Sequence, residues 1–345
     1  MNREFGSDFH FYQCNNGIRE VSLINSTTDS LFFSGRVALY NILDYGIRNY
    51  GWKRVGFPSY YCHEVVVFCE TLPIEIFYYP YNPFQPSSFE WVDDEQHVFI
   101  NVDFFGLGLM STDFIQKSVV VEDLSNNLLK LVESKANYCF ASLRKQLPVP
   151  VGGISKDFLL KYSPINDGNQ FPEDVASEKI AAMFLKAKYL DGEFKAKQVY
   201  RNLYIKSEKS FSSCHTNSYI PTSAKNILLN LSHKELINKT HKNIKLAKDL
   251  LKNYPIFKLL TSKKNTEMGL MLIFENKEIR DSLKTHLLKK NIYPSILWPN
   301  QKTETDKYFE DRFLFVHVDF RYTSNDIQYI INQLNDFGAC NSKQN

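Results

Sequence analysis

The sequence predicts an α/β protein: a large domain on a mostly parallel sheet, then a smaller C-terminal α+β domain. Three observations carry this. Short apolar runs of strand length recur through the first half, at 54–58, 74–79, 97–103, 119–122 and 138–142. Helical or irregular crossovers separate them, as parallel neighbours require. A long amphipathic segment from 232 to about 253 then leads into a second, shorter alternation of strand and helix. With 345 residues, 43% hydrophobic and 23% charged, the chain has the composition of a folded soluble protein with room for two cores. The expected division is 1–225, an N-terminal arm and the large domain, and 226–345, a linking helix and the small domain.

Taken in order, residues 8–24 carry short aromatic and aliphatic stretches suited to a strand or arm. Ser34-Gly35 supplies a turn, and Ala38, Leu39, Ile42 and Leu43 then recur at helical spacing. Arg54 to Pro58 reads as a strand stopped by proline, followed by a helix over 60–70. Strands follow at 74–79, 97–103 (leading into Phe104-Phe105-Gly106) and 119–122, which ends in Glu122-Asp123. The run 138–142 leads into Lys145. Residues 174–210 look helical and charged. Ser232 and Glu235 have capping-box spacing, and Ile237, Ile244 and Leu251 stand at heptad intervals along the helix they open. The last unit reads as strand 269–274, helix 278–289, strands 292–297 and 313–318 and helix 324–334, with a frayed polar tail from Cys340.

A parallel sheet binds its ligands outside the carboxyl ends of its strands. Ser34, Pro58, Asp103, Asp123 and Lys145 all fall at or near such ends. A valine-rich strand ending in Asp123, then Lys145 with Ser142 three residues before it and Gly152-Gly153 beyond, suits pyridoxal 5'-phosphate (PLP). Lys145 would form the Schiff base and shuttle protons, its amine kept partly neutral by burial and by Arg144. Asp123 would hold the pyridine nitrogen protonated, and Ser142 would bind phosphate with the backbone of Gly35, Arg36 and Val37 at a helix N-terminus. His63 reads as a packed or surface group, Asp103 at its strand end as a weaker candidate for the site, and Tyr293, Trp298 and Tyr322 as small-domain core.

Five segments, in order, resemble the motifs of the DegT/StrS-type sugar aminotransferases, which are fold-type I PLP enzymes. Ser34-Gly35-Arg36-Val37-Ala38-Leu39 is similar to their phosphate-binding turn. Pro58-Ser59-Tyr60-Tyr61-Cys62 resembles the loop lying against the cofactor ring, which puts Tyr61 or Cys62 there. Val121 to Asn126 resembles the segment of the pyridinium aspartate, with Asn126 placed to bond the phenolic oxygen, and residues 140–153 resemble the Schiff-base segment. The C-terminal stretches 293–299 and 317–322 are similar to small-domain sequences of one branch. The resemblance covers roughly 30–335. Val151 stands where an acidic residue often precedes the glycine pair, and the polar Asn-Tyr-Arg stretch of many members is not recognisable.

The resemblance implies a mostly parallel sheet of the seven-stranded type in the large domain, and a homodimer that moves an amino group, from glutamate in most relatives, to a keto-sugar carried on a nucleotide. Two alternatives stand beside it: a PLP-dependent dehydratase, whose relatives carry histidine in place of the lysine, and a non-catalytic relative. A net charge of +3 makes no case for nucleic acid or an acidic membrane, and no apolar run is long enough to span one. Six cysteines without zinc-ligand spacing suggest no metal and a reducing cytoplasm. No GxGxxG follows the first strand, which argues against Rossmann-type nucleotide binding.

Overall fold

The computed structural model describes residues 3–13, 23–24, 29–86, 88–156, 171–213, 217–262 and 266–341. Residues 14–22 of the expected arm, Cys14 among them, and Cys214 lie outside them. In chain order the elements are β1 (Phe5–Gly6), β2 (Ser30–Phe32), α1 (Gly35–Tyr50), β3 (Arg54–Pro58), α2 (His63–Cys69), β4 (Glu75–Tyr79), β5 (His97–Val102), β6 (Val119–Asp123), β7 (Tyr138–Ser142) and β8 (Gly153–Ser155). After these come α3 (Phe171–Leu190), α4 (Lys197–Ser213), α5 (Thr222–Leu229), α6 (His233–Leu250), β9 (Lys258–Leu260), β10 (Leu270–Ile273), α7 (Lys277–Leu288), β11 (Ile292–Tyr293), α8 (Glu304–Glu310), β12 (Phe313–Val316) and α9 (Ser324–Asn341).

Seven strands form the main sheet in the order β2-β8-β7-β6-β5-β3-β4. The pairs from β7 to β4 are parallel, and β8 runs antiparallel to both its neighbours. Every residue of β5 is buried, the mark of a strand covered on both faces. Its partner β6 carries Asp123 at its carboxyl end, and β7 delivers Ser142 and the turn of Lys145 one strand over. β2 and β8 are too short to show a periodicity, so sequence reading passed over both.

The second sheet, β12-β10-β9, divides its side chains by the strand period of two. Met271, Phe313 and Phe315 face the large core, whereas Leu270, Leu272, Leu314 and Val316 face a smaller one. That smaller core is closed by the helical stripe Ile327, Ile330, Ile331 and Leu334 of α9. Helix α6 serves both, with Ile237 in the larger core and Ile244 in the smaller. The expected division at 225/226 falls within α5.

Several expectations need correction. The charged stretch 174–210 is two helices, broken where Gly192 takes φ 84°. Ser232 occupies the N-cap of α6, but its side chain makes no cap hydrogen bond, so the capping box is not formed. The strand expected over 292–297 pairs only at Ile292–Tyr293, and an isolated bridge joins Ser295 to Phe315. Helix α9 runs through Cys340 to Asn341, where fraying was expected.

Candidate active site

The carboxyl ends of β6 and β7 and the N-terminus of α1 enclose a cavity of about 720 Å³, counted to its open mouth. Of the residues singled out from sequence, Gly35, Arg36, Cys62, Asp123, Asn126, Ser142 and Lys145 all line it. Local geometry explains the convergence. Ser34 caps α1 by accepting the Val37 N–H, and the first intrahelical bond runs from Ala38 N–H to Ser34 O, 3.1 Å. The amides of Gly35 and Arg36 therefore precede the helix ladder, at the positive end of its dipole. Gly153 brings β8 against this terminus: a Cβ there would stand 2.1 Å from Ser34 O. The glycine pair thus works by close approach. The acidic residue absent at Val151 has no place in it, since Val151 is buried in the large core.

Asp123 is buried and held on both oxygens. Its Oδ1 accepts the Ser125 N–H at 2.9 Å, and its Oδ2 accepts the Tyr61 hydroxyl at 2.5 Å. Burial raises its pKa, with these hydrogen bonds and the charge of Lys145 working against that rise. Such a carboxylate gains by facing a cation or sharing a proton. Lys145 has the opposite displacement: burial first, then Arg144, holds its pKa below the usual lysine range. A larger share of the amine is then neutral and nucleophilic at neutral pH.

Two guanidiniums flank the same wall. Arg36 donates to Phe211 O at 2.6 Å and lies over the Phe68 and Phe211 rings at 5.4 and 5.1 Å. Arg144 covers the Phe211 ring at 4.3 Å and reaches Glu208 at 3.3 Å. Phe211 comes from α4, far along the chain, so no local pattern announced it.

Some expected residues lie elsewhere. Tyr61 does not line the cavity; its ring sits fully buried beneath, its hydroxyl on Asp123, so Cys62 is the member of that pair at the wall. The Val37 side chain is buried in the large core. Asp103 accepts from Gly108 N–H and Asn127 and pairs with Lys130, a structural role. Trp298, expected as small-domain core, lines the cavity with Leu297. Tyr60 positions that segment: its hydroxyl donates to Leu297 O at 2.6 Å and accepts the Trp298 N–H at 3.1 Å. Ser125 was also missed; its Oγ accepts the Ser142 N–H at 2.9 Å and so ties β7's end to β6's. Tyrosines in an aromatic-rich chain carry no distinguishing pattern, and Ser125 has only its place beside Asp123.

These residues fit PLP by their chemistry. A helix N-terminus with Ser142 suits a phosphate, a buried carboxylate suits a pyridinium, and a lysine of lowered pKa suits an aldehyde. Among the described residues there is no group of side chains suited to a metal ion, and no helix is long and apolar enough to cross a membrane.

No family model matches the chain, and no curated protein does. Solved structures do. DesI, crystallised in the presence of its TDP-sugar product, aligns with a TM-score of 0.57 at 12% identity over 92% of this chain and 82% of its own. NtdA from Bacillus subtilis with bound cofactor PMP gives 0.56 at 13% identity, over 90% and 73%. A DegT/DnrJ/EryC1/StrS aminotransferase from Brucella abortus gives 0.55 at 13% identity, over 90% and 86%. The chain therefore has the fold of these aminotransferases, fold-type I of the PLP enzymes, as its motifs led one to expect.

Proposed function

We propose that the protein is a PLP-dependent aminotransferase that passes an amino group, from glutamate, to a keto-sugar carried on a nucleotide, and that it works as a homodimer. One observation carries the reading: Lys145, Asp123, Ser142 and the α1 N-terminus line a single cavity in a fold shared with aminotransferases. The TDP-sugar product of DesI and the PMP of NtdA, both on this fold, support the substrate class and the cofactor.

PLP bound here would supply an electron sink, so that a proton can leave the amine-bearing carbon of the donor. The chain's own groups do the rest. The α1 N-terminus and Ser142 would hold the phosphate, fixing the ring across the cavity. Asp123 would keep a proton on the ring nitrogen, and its two hydrogen-bond donors orient it for that. Lys145 would anchor the aldehyde and, displaced by substrate, carry the proton between carbon atoms. Its lowered pKa suits a base that must both take and return a proton near neutrality. Phe211, Leu297 and Trp298 would keep water from the reacting atoms.

The test is a pair of half-reactions. Protein reconstituted with PLP should show a visible absorbance band that glutamate bleaches with release of 2-oxoglutarate. A nucleotide-linked keto-sugar should then restore the band. No band, or a band indifferent to every amine, would refute the assignment.

A further inference from the structure

Lys145 lines a second cavity, of about 800 Å³ counted to its mouth, which shares Arg144 and Leu297 with the first. Its polar walls come further from the N-terminal arm (Ser7, Asp8), from Lys179 of α3, and from Ser295 and His317 of the small domain, beside the apolar Phe9, Val149, Met183 and Met268. None of these was assigned a part in holding PLP.

Ser295 and His317 are built into position. Ser295 exchanges backbone hydrogen bonds with Phe315, 2.9 and 2.8 Å, and His317 follows just past the end of β12, two residues after Phe315. Ser295 Oγ lies 3.2 Å from His317 Nε2, and His317 Nδ1 lies 3.8 Å from Asp319 Oδ2. Arg321 grips Asp319 through two bonds of 2.8 and 2.7 Å, so the carboxylate is fixed. The ring itself is edge-on to Phe315 at 4.7 Å, and a Cβ on Gly6 would come within 3.2 Å of it. A carboxylate on the Nδ1 side favours the tautomer with its proton there. Nε2 then accepts the Ser295 hydroxyl, and the serine oxygen is left as an acceptor.

The fixed cations of this cavity are already compensated. Lys179 donates to Asp8 at 2.9 Å and also pairs with Glu208, and Arg144 pairs with Glu208 at 3.3 Å. A carboxylate or phosphate would have to break these pairs, whereas a neutral, hydroxyl-bearing group would not. We propose that this cavity receives the hydroxylated ring of the amino-acceptor sugar, and that Ser295, oriented by His317 as a positioning residue, accepts a hydrogen bond from one of its hydroxyls. The proposal rests on the aminotransferase reading and adds where, and by what, the sugar is read.

The experiment uses the PLP-loaded protein and follows the visible band during two separate half-reactions: with glutamate, and with a panel of nucleotide-linked amino sugars and their mono-deoxy analogues. Ser295→Ala and His317→Phe should each lower kcat/KM for the amino sugar roughly ten-fold while the glutamate half-reaction stays within about two-fold. His317→Gln, which keeps an acceptor, should recover part of the loss. One deoxy analogue should react equally with wild type and Ser295→Ala, identifying the hydroxyl read. Equal slowing of both half-reactions would mean a structural role, and a wild-type rate in Ser295→Ala would mean no contact; either overturns the inference alone. Wild-type protein bleached by glutamate but inert to every amino sugar overturns the sugar reading, and this inference with it.

Discussion

The two sides of Lys145 are built differently. On the side of the first cavity the groups proposed to hold PLP come from three short stretches, 34–37, 121–126 and 140–153, each at the end of a strand or the start of a helix. On the other side Asp8, Lys179, Ser295 and His317 come from four distant parts of the chain, brought together by the arm, α3 and the small domain. Arg321 holds the arm there by donating to the Ser7 and Asp8 carbonyls at 3.2 Å. The difference has a physical reason. A phosphate and a pyridinium can be held by what neighbouring strand ends and one helix N-terminus supply: backbone amides, a hydroxyl and a carboxylate. A ligand of varied shape needs walls from several directions, and only tertiary packing provides them.

The first way to break this comparison is Lys145→Ala, since both cavities meet at that residue. The visible band should vanish and amino transfer should fall by at least about 10³-fold, measured in single-turnover reactions with glutamate. Retained transfer would separate the chemistry from both cavities.

A second test acts on the arm side through pH. Burial, reinforced by Arg321, pushes His317 down to about 4 and His10 to about 3. An unfolded histidine takes its proton near 6.5. Between these values the unfolded chain binds more protons, so stability is full above pH 6.5 and lost as pH falls towards 4. For His317 the loss is on the order of 3 kcal/mol at most. Chemical denaturation at stepped pH should show this slope, and His317→Gln should flatten it without altering stability's response above pH 7.

Gly153→Ala acts on the cofactor side alone. Its Cβ would strike Ser34 O, so β8 or the α1 terminus must shift, costing about 1–3 kcal/mol in urea unfolding and weakening PLP affinity. The glutamate and sugar half-reactions should suffer together, unlike the selective losses expected of Ser295→Ala. Last, Tyr61→Phe removes one hydrogen bond from the buried Asp123 carboxylate and should slow the glutamate half-reaction by roughly ten-fold, with a loss of about 1–3 kcal/mol in urea unfolding.

The same contrast explains what could be read in the sequence. The valine strand ending in Asp123 and the Ser142-to-Lys145 turn were legible because strand period, burial and a polar terminus lie within a few residues. Helix α9 and the sheet strands were legible by periodicity, although β2 and β8, at three residues each, fall below the length at which a period can be seen. Tyr61 and Cys62 stay alternatives in the sequence because a loop cannot say which of two neighbours points into the cavity; the Tyr61 hydroxyl bonds the buried Asp123 oxygen, and Cys62 lines the cavity. Trp298 was assigned to the core because its partners, Tyr60, Tyr61 and Phe104, are core residues nearly two hundred or more positions away. Ser295 and His317 lie in the stretches similar to small-domain sequences, but nothing there pairs them: twenty-two residues separate them, and the bridge between Ser295 and Phe315 makes them neighbours.

Borohydride reduction of the PLP-loaded protein, followed by digestion and mass spectrometry, addresses the central claim most directly. Lys145 is not the only buried lysine with a lowered pKa: Lys186 is pushed down to about 8 by burial and Arg321, and donates to Asp8 O. A single phosphopyridoxyl group is expected on the peptide carrying Lys145 and none on Lys186 or Lys179. A label on either of those lysines, or on none, would contradict it.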